Sequence, residues 1–280
     1  MKIREIAETD RTAVVGLLLE GFPSRSRDYW MVAFQKLLLQ VAPTGQPRVG
    51  LLMEEAGVIV GVLLNIWTPA DVLPPGHLRA NLSSWYVRPE FRSFAAMLLA
   101  KACRSGNVTY LNVSAAAHTI TVCEALGFKK YSSGQAVCLP LLSYARKMNR
   151  VYRFDTSTAQ LSGADTKVMQ EHVAMGCVGL VGEVDGTQVP FLFVRRAVRG
   201  FIPAYQLVYC RDLRDFEACA RGIGWQLLKK GVALTIADCN QNLNALPSHY
   251  IPGKTPKYYK GPDAPRPCDL AFTEIPLFGI

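Results

Sequence analysis

The stretch Ser83-Ser84-Trp85-Tyr86-Val87-Arg88-Pro89-Glu90-Phe91-Arg92-Ser93-Phe94-Ala95-Ala96-Met97-Leu98-Leu99 decides how this chain is read. Residues 81–87 are a strand that Pro89 ends, and a helix is expected from about 93 to 103. Downstream come a strand at 108–114, a helix at 119–126, the pair Gly127-Phe128, and a strand that includes 135–139. Upstream, residues 50–54 and 58–64 form a hairpin about Glu55-Ala56-Gly57, where the glycine supplies a positive φ. Two helices precede it. In the first, Thr9-Asp10 is expected to cap the stripe Ala13, Val14, Leu17, Leu18; in the second, Tyr29 to Leu38 recur at helical spacing. With a short strand at 2–4 the order is β-α-α-β-β-β-α-β-α-β, a mixed sheet with helices.

The second half repeats part of this order. Gly50-Leu51-Leu52-Met53-Glu54-Glu55-Ala56-Gly57 matches Gly179-Leu180-Val181-Gly182-Glu183-Val184-Asp185-Gly186, and Tyr86-Val87-Arg88 matches Tyr209-Cys210-Arg211. Thr109-Tyr110-Leu111-Asn112 matches Thr235-Ile236-Ala237-Asp238, and Lys130-Tyr131-Ser132-Ser133-Gly134 matches Lys257-Tyr258-Tyr259-Lys260-Gly261. An ordered set in near register points to an internal duplication. The second copy is trimmed: one helix near 167–175 stands where the first copy has two. Residues 143–164 are polar and aperiodic, so modules at 1–148 and 149–280 are expected.

The quoted stretch resembles the signature of the GNAT superfamily of N-acetyltransferases, in which a strand ending in Val-x-Pro-x-aromatic-Arg runs into a glycine-rich turn. Cys123-Glu124-Ala125-Leu126-Gly127-Phe128-Lys129 resembles the family's closing Tyr-Glu-x-Leu-Gly-Phe. The likeness covers residues 1–141 and continues more faintly through the second half. It implies an α/β fold of the acyl-CoA N-acyltransferase type in two tandem modules.

It also implies a donor, acetyl-CoA or another acyl-CoA, and a place for it. A helix N-terminus offers unpaired amides and the positive end of a dipole, which suit a diphosphate. That role falls to Arg92, Ser93, Phe94, Ala95, Ala96 and Met97, with Arg92 adding charge. The pantetheine arm lies where the strand at 83–87 splays from that at 108–114, pairing with exposed backbone of Trp85, Tyr86 and Val87. Asn112 is a further polar contact. The chain departs from the family in Ala95 and Met97, which replace small turn residues, and in Cys123, which replaces the usual tyrosine acid. Met97 is expected to turn into the core.

Transfer to an amine needs a neutral amine, a stabilised oxyanion and a protonated leaving thiolate. Cys123 is read either as that acid or as a filler of the tyrosine's space. His118 is read as a general base or as a cap on the helix at Thr119. Ser83, Asn81 and Ser114 point polar groups at the same opening, and Glu54 is a further possible base on an exposed hairpin. In the second copy, Arg221-Gly222-Ile223-Gly224 imitates the phosphate turn, but its place inside a helix favours close packing. Asp238 and Asn240 end a strand that faces a cleft, and Tyr258 and Tyr259 sit in a Pro/Gly/Lys-rich loop at 252–267 expected to cover the first module's cleft. The second module is expected to bind no CoA.

The bulk properties set limits. Half of the residues are apolar and 19% charged, with a net charge of +9, the balance of a soluble globule that favours anionic ligands only weakly. No apolar run nears the ~20 residues of a membrane span, no leader is evident, and a cytoplasmic protein is expected. The eight cysteines are scattered without metal-ligand spacing, so no structural metal is expected. The leading expectation is an N-acyltransferase acting by direct attack of a small-molecule or polymer-linked amine on the thioester. The alternatives are a catalytically degenerate acyl-CoA-binding or interaction protein, and an aminoacyl-tRNA-dependent transferase. No Arg/aromatic array is present, so nucleic acid is not the expected partner.

Overall fold

A computed structural model of the chain describes residues 1–145 and 147–279. In chain order its elements are β1 Lys2–Glu5, α1 Arg11–Gly21, α2 Arg27–Leu39, β2 Gly50–Glu55, β3 Val58–Trp67, β4 Leu78–Val87, α3 Ala95–Ala102, β5 Val108–Asn112 and α4 Ile120–Ala125. They continue with β6 Lys129–Cys138, β7 Val151–Arg153, α5 Gly163–Ala174, β8 Val178–Val184, β9 Thr187–Val198, β10 Ile202–Cys210, α6 Leu213–Leu228, β11 Leu234–Cys239, β12 Ser248–Lys260 and α7 Glu274–Phe278. The chain folds as two compact units. The first holds Met1–Lys129, Tyr259–Ala264 and Phe272–Glu274; the second holds Lys130–Tyr258, Pro265–Ala271 and Ile275–Ile280.

In the first unit β1, β2, β3 and β4 are antiparallel neighbours and β5 joins β4 in parallel. The β2–β3 turn has positive φ at both Ala56 and Gly57, the type I′ geometry that matches strand twist. Helix α1 buries Val14, Val15, Leu17 and Leu18, and α2 buries Trp30, Phe34 and Leu37, each worth about 1.5–3 kcal/mol. Ser26 caps α2 by accepting from the Tyr29 amide at 3.1 Å. Asp10, by contrast, does not cap α1. It is already helical, and its carboxylate takes the Ala7 amide and both ends of the Arg4 guanidinium. Helix α3 packs on β2 and β3, where Gly61 leaves room for Val87, Met53 and Leu98.

The second unit repeats the scheme. β7, β8, β9 and β10 are antiparallel neighbours and β11 joins β10 in parallel. Its hairpin turn again has positive φ at two residues, Asp185 and Gly186. Between β7 and β8 stands α5, which begins earlier than the periodicity suggests because Ser162 caps it through the Asp165 amide. Phe191, Phe193, Leu207, Phe216, Ile223 and Leu227 lie in the core under α6.

The closing strands do not follow chain order. β6 pairs antiparallel with β11, from Thr235↔Cys138 to Cys239↔Gly134, within the second unit. Along β5 of the first unit lies Tyr259–Ala264: a Cβ on Gly261 would lie 2.5 Å from the Val108 carbonyl oxygen, and the Asp263 amide donates to Thr109 Oγ1 at 3.1 Å. No single cut near 148 therefore separates the units. Residues 130–134 and 257–261 are the segments that the repeat matches. Residues 252–260 are strand, where Pro and Gly content suggests loop.

All eight cysteines are buried free thiols. Among the described residues no helix is long and apolar enough to cross a membrane.

Candidate active site

In the first unit β4 stays paired with β3 to its end, but its ladder with β5 stops at Asn81↔Leu111. From Leu82 to Val87 the strand has no β5 partner, and an edge left without its neighbouring strand is where a strand-like ligand can add. Midway, the β3–β4 register slips between Val62 and Leu64, and Ser84 takes φ +53°. This is a β-bulge, which bends the strand and re-aims its groups. A non-glycine residue in the left-handed region costs roughly 1–2 kcal/mol, so the surrounding packing must hold it. Ser83 is buried with Oγ 3.1 Å from Ser84 Oγ; Trp85 and Tyr86 are half-buried and Val87 is buried.

The junction into α3 is not a glycine loop. Pro89–Phe94 forms a 3-10 turn, in which the Phe91 amide donates to the Arg88 carbonyl and the Ala95 amide to the Arg92 carbonyl. Ala95 has φ −59°, an ordinary helical value, so its methyl costs nothing and the freedom of glycine would go unused. Arg92 and Ser93 are exposed. So are Phe94 and Met97, at 41% and 44%; Met97 does not turn into the core, which Leu98 and Leu99 fill. Ala95 and Ala96 are half-buried.

Helix α4 ends in a Schellman motif: Phe128 N–H bonds the Cys123 carbonyl, Gly127 N–H bonds Glu124, and Gly127 has φ +87°. That geometry is why Leu-Gly-Phe is legible in sequence. Cys123 is fully buried, its thiol pushed up by burial, and Asn112 Nδ2 donates to its sulfur at 3.5 Å. His118 is exposed in the 3-10 turn Ala117–Thr119. It does not cap α4, whose N-cap is Thr119. Glu54 is held by Arg4 at 3.1 Å.

A residue that sequence reasoning missed completes the opening. The Glu274 carboxylate is fully buried where β4 and β5 part: Asn81 Nδ2 donates to one oxygen and Ser114 Oγ to the other. Asn81 Oδ1, also buried, has no hydrogen-bond partner among the described residues. The Tyr29 phenol is pushed up by burial, opposed by the Arg25 charge and reinforced by that of Glu274. Asn81 and Ser114 are where the strand alternation aims them. Glu274 has no local signal, being 160 residues from Ser114.

These residues fit an acyl-pantetheine arm well and a diphosphate partly. The arm would find the open β4 edge; the diphosphate would find Arg92 and Ser93, with the Ala95 amide already engaged.

The matching opening of the second unit is filled. β10 and β11 pair as far as Leu207↔Ala237, and β10 slips register before Tyr209. Immediately beyond, the Leu270 amide donates to the Val208 carbonyl at 2.8 Å and Cys268 Sγ to the Asp238 carbonyl at 3.1 Å, with both side chains fully buried. The Asp238 carboxylate faces no cleft; it is buried against Gln206, Gln135 and Lys257. Asn240 takes the Ser133 amide. Gly222 and Gly224 are packing glycines: a Cβ would lie 2.6 Å from Val151 and 2.4 Å from the Leu141 backbone.

No protein-family model matches the sequence, and no curated protein matches it. Solved structures do. A GCN5-related N-acetyltransferase from Anabaena variabilis superposes with TM-score 0.62 at 8% identity, over 92% of this chain and 72% of that one. A proposed acetyltransferase from Pyrococcus horikoshii gives 0.55 at 14% identity, over 97% and 92%. A GCN5-related N-acetyltransferase from Kribbella flavida gives 0.54 at 13%, over 92% and 70%. At such identities the likeness establishes the fold, which is that of the GNAT acyltransferases.

Proposed function

We propose that the chain is an acyl-CoA-dependent N-acyltransferase working in its first unit, with acetyl or another acyl group as cargo and a small-molecule or polymer-linked amine as acceptor. One observation carries this reading: the bulged β4 edge left unpaired beyond Asn81↔Leu111. A thioester would be supplied by the bound donor. The chain's own part is to receive the arm along the backbone of Trp85, Tyr86 and Val87, beside Asn112, and to hold negative charge with Arg92 and Ser93 while Phe94, Ala95, Ala96 and Met97 line the turn. Backbone N–H groups at the bulge are the candidates for steadying charge on the reacting carbonyl oxygen. Ser83, at the bulge, and His118, exposed in the turn before α4, are candidates for orienting or deprotonating the amine. Burial of Cys123 and its bond from Asn112 favour a space-filling thiol over a proton donor.

The test is calorimetric titration with acetyl-CoA, followed by thiol release against a panel of primary amines. Arg92→Glu reverses the exposed charge and is expected to weaken acetyl-CoA binding at least about tenfold with an unchanged melting temperature. Unaltered affinity would remove the donor from this junction. A second reading, an acyl-CoA-binding protein without transfer, is favoured by the fully buried Cys123 standing where the family has its tyrosine acid. Firm binding without thiol release for any amine would select it.

A further inference from the structure

We propose that one end of the second unit, where the β9–β10 hairpin projects, docks on the surface of an anionic phospholipid membrane; this assignment is independent of the transferase reading above. The β8–β9 ladder begins at Val178↔Phe193 and the β10–β11 ladder at Ala204↔Leu234. Beyond both, β9 and β10 pair only with each other, as far as Val198↔Ile202 at the turn. At about 3.3 Å per residue the turn stands roughly 10 Å past the first β11 pair. Helices α5 and α6 cover opposite faces of the sheet: a Cβ on Gly179 would meet Val173 of α5, and one on Gly182 would meet Cys219 of α6. α5 leads through 175–177 into β8 and α6 through 229–233 into β11, so both helices end at the base of the hairpin. This end lies opposite the filled opening, which is at the other end of β10 and β11.

Apolar side chains stand in water here. Phe201 at the hairpin turn is 75% exposed and Trp225 in the last turns of α6 is 48% exposed; Leu228 and Met175, at the ends of α6 and α5, are exposed as well. Cations flank them. Arg195 and Arg199 on the hairpin and Lys229 and Lys230 after α6 are exposed, and none of the four has a side-chain hydrogen bond or ion pair among the described residues. The acids placed toward this end are occupied: Glu171 pairs with Lys167 at 3.7 Å, and Asp155 accepts from Ser157.

Charge complementarity selects the occupant. Apolar groups that enter a headgroup layer by about 5–10 Å, bordered by cations that meet lipid phosphates, are what an anionic bilayer surface binds, and the projecting turn has that reach. A second copy of the same face would set four cations against four, which like-charge repulsion opposes. Nucleic acid would engage the cations but would leave Leu228 and Met175 without a role, since bases stack on aromatic side chains.

The experiment is co-sedimentation of the full-length chain with phosphatidylcholine vesicles, with and without phosphatidylserine. Binding to the mixed vesicles is expected to be at least about tenfold tighter than to phosphatidylcholine alone and to weaken as salt is raised. Phe201→Ser is expected to lower the affinity about tenfold, and the double variant Arg195→Glu/Arg199→Glu by at least as much. Both should keep the wild-type melting temperature, because all three side chains are exposed. Trp225→Phe should remove a vesicle-induced blue shift in tryptophan fluorescence. Absence of the chain from sedimented phosphatidylserine vesicles overturns the assignment, as does vesicle binding that none of these variants changes. A mixed-sequence RNA bound through Arg195 and Arg199, with vesicles ignored, would give the face to nucleic acid instead. A dimer in sedimentation velocity that Phe201→Ser dissolves, again with vesicles ignored, would give it to a second copy.

Discussion

Ser84, Glu274 and His172 each sit in surroundings that their own residue type does not foretell. Ser84 adopts φ +53° because the bulge demands it, although serine has no preference for that region. Glu274 is buried among polar donors, although glutamate is almost never fully buried without partners. His172 lies in α5 with Nδ1 2.8 Å from the Val168 carbonyl and no solvent exposure. Burial pushes its pKa down to about 4 from 6.5, against the opposing influences of Val168 and the Asp269 charge. The native state therefore holds this ring neutral, while the unfolded chain protonates it as pH falls through 6.5. Stability should decline between pH 6.5 and 4 by up to about 3 kcal/mol. Urea midpoints across that window would show it, and His172→Gln should flatten the slope. The histidine that sequence reading singled out, His118, is exposed in the 3-10 turn Ala117–Thr119.

At the scale of elements, the helices most legible in sequence are those with an apolar stripe and a clean stop. The Leu-Gly-Phe close of α4 is one case, since only a left-handed C′ residue lets the chain turn there. The start of α3 was less legible: the sequence places a helix near 93, but the 3-10 turn from Pro89 to Phe94 depends on how the chain leaves the β4 bulge. In α6 the pair Gly222 and Gly224 reads as a phosphate turn by composition and as packing by position, and packing holds. Replacing a helical glycine by alanine should gain about 1 kcal/mol of propensity. At Gly224, however, the new methyl would meet the Leu141 backbone at 2.4–2.6 Å, which cannot yield as a flexible side chain would. Gly224→Ala should therefore destabilise by about 1–3 kcal/mol in chemical denaturation, with acetyl-CoA affinity untouched. A loss of CoA binding without a loss of stability would revive the phosphate reading.

For the molecule as a whole, duplication gives two units with a parallel strand pair each, and the two differ just beyond that pair: in the first, the Glu274 side chain bridges Asn81 and Ser114. In the second, Leu270 and Cys268 bond both strands just beyond their last pair, occupying backbone positions that an arm would need. Calorimetry should accordingly give one acetyl-CoA per chain, and a stoichiometry of two would contradict the filled opening. The sequence by itself determined the α/β class, the order of elements in the first half, the repeat, and the strand-to-helix junction at 83–99, because strand and helix periodicity, proline stops and the glycine C-cap are local properties. Only the tertiary structure decided which closing strand completes which sheet, that 265–271 fills the second opening, and that Glu274 meets Asn81 and Ser114. Those outcomes join residues from 30 to 193 positions apart, and such pairings are fixed by which surfaces can be buried together, a quantity no local window of the chain contains.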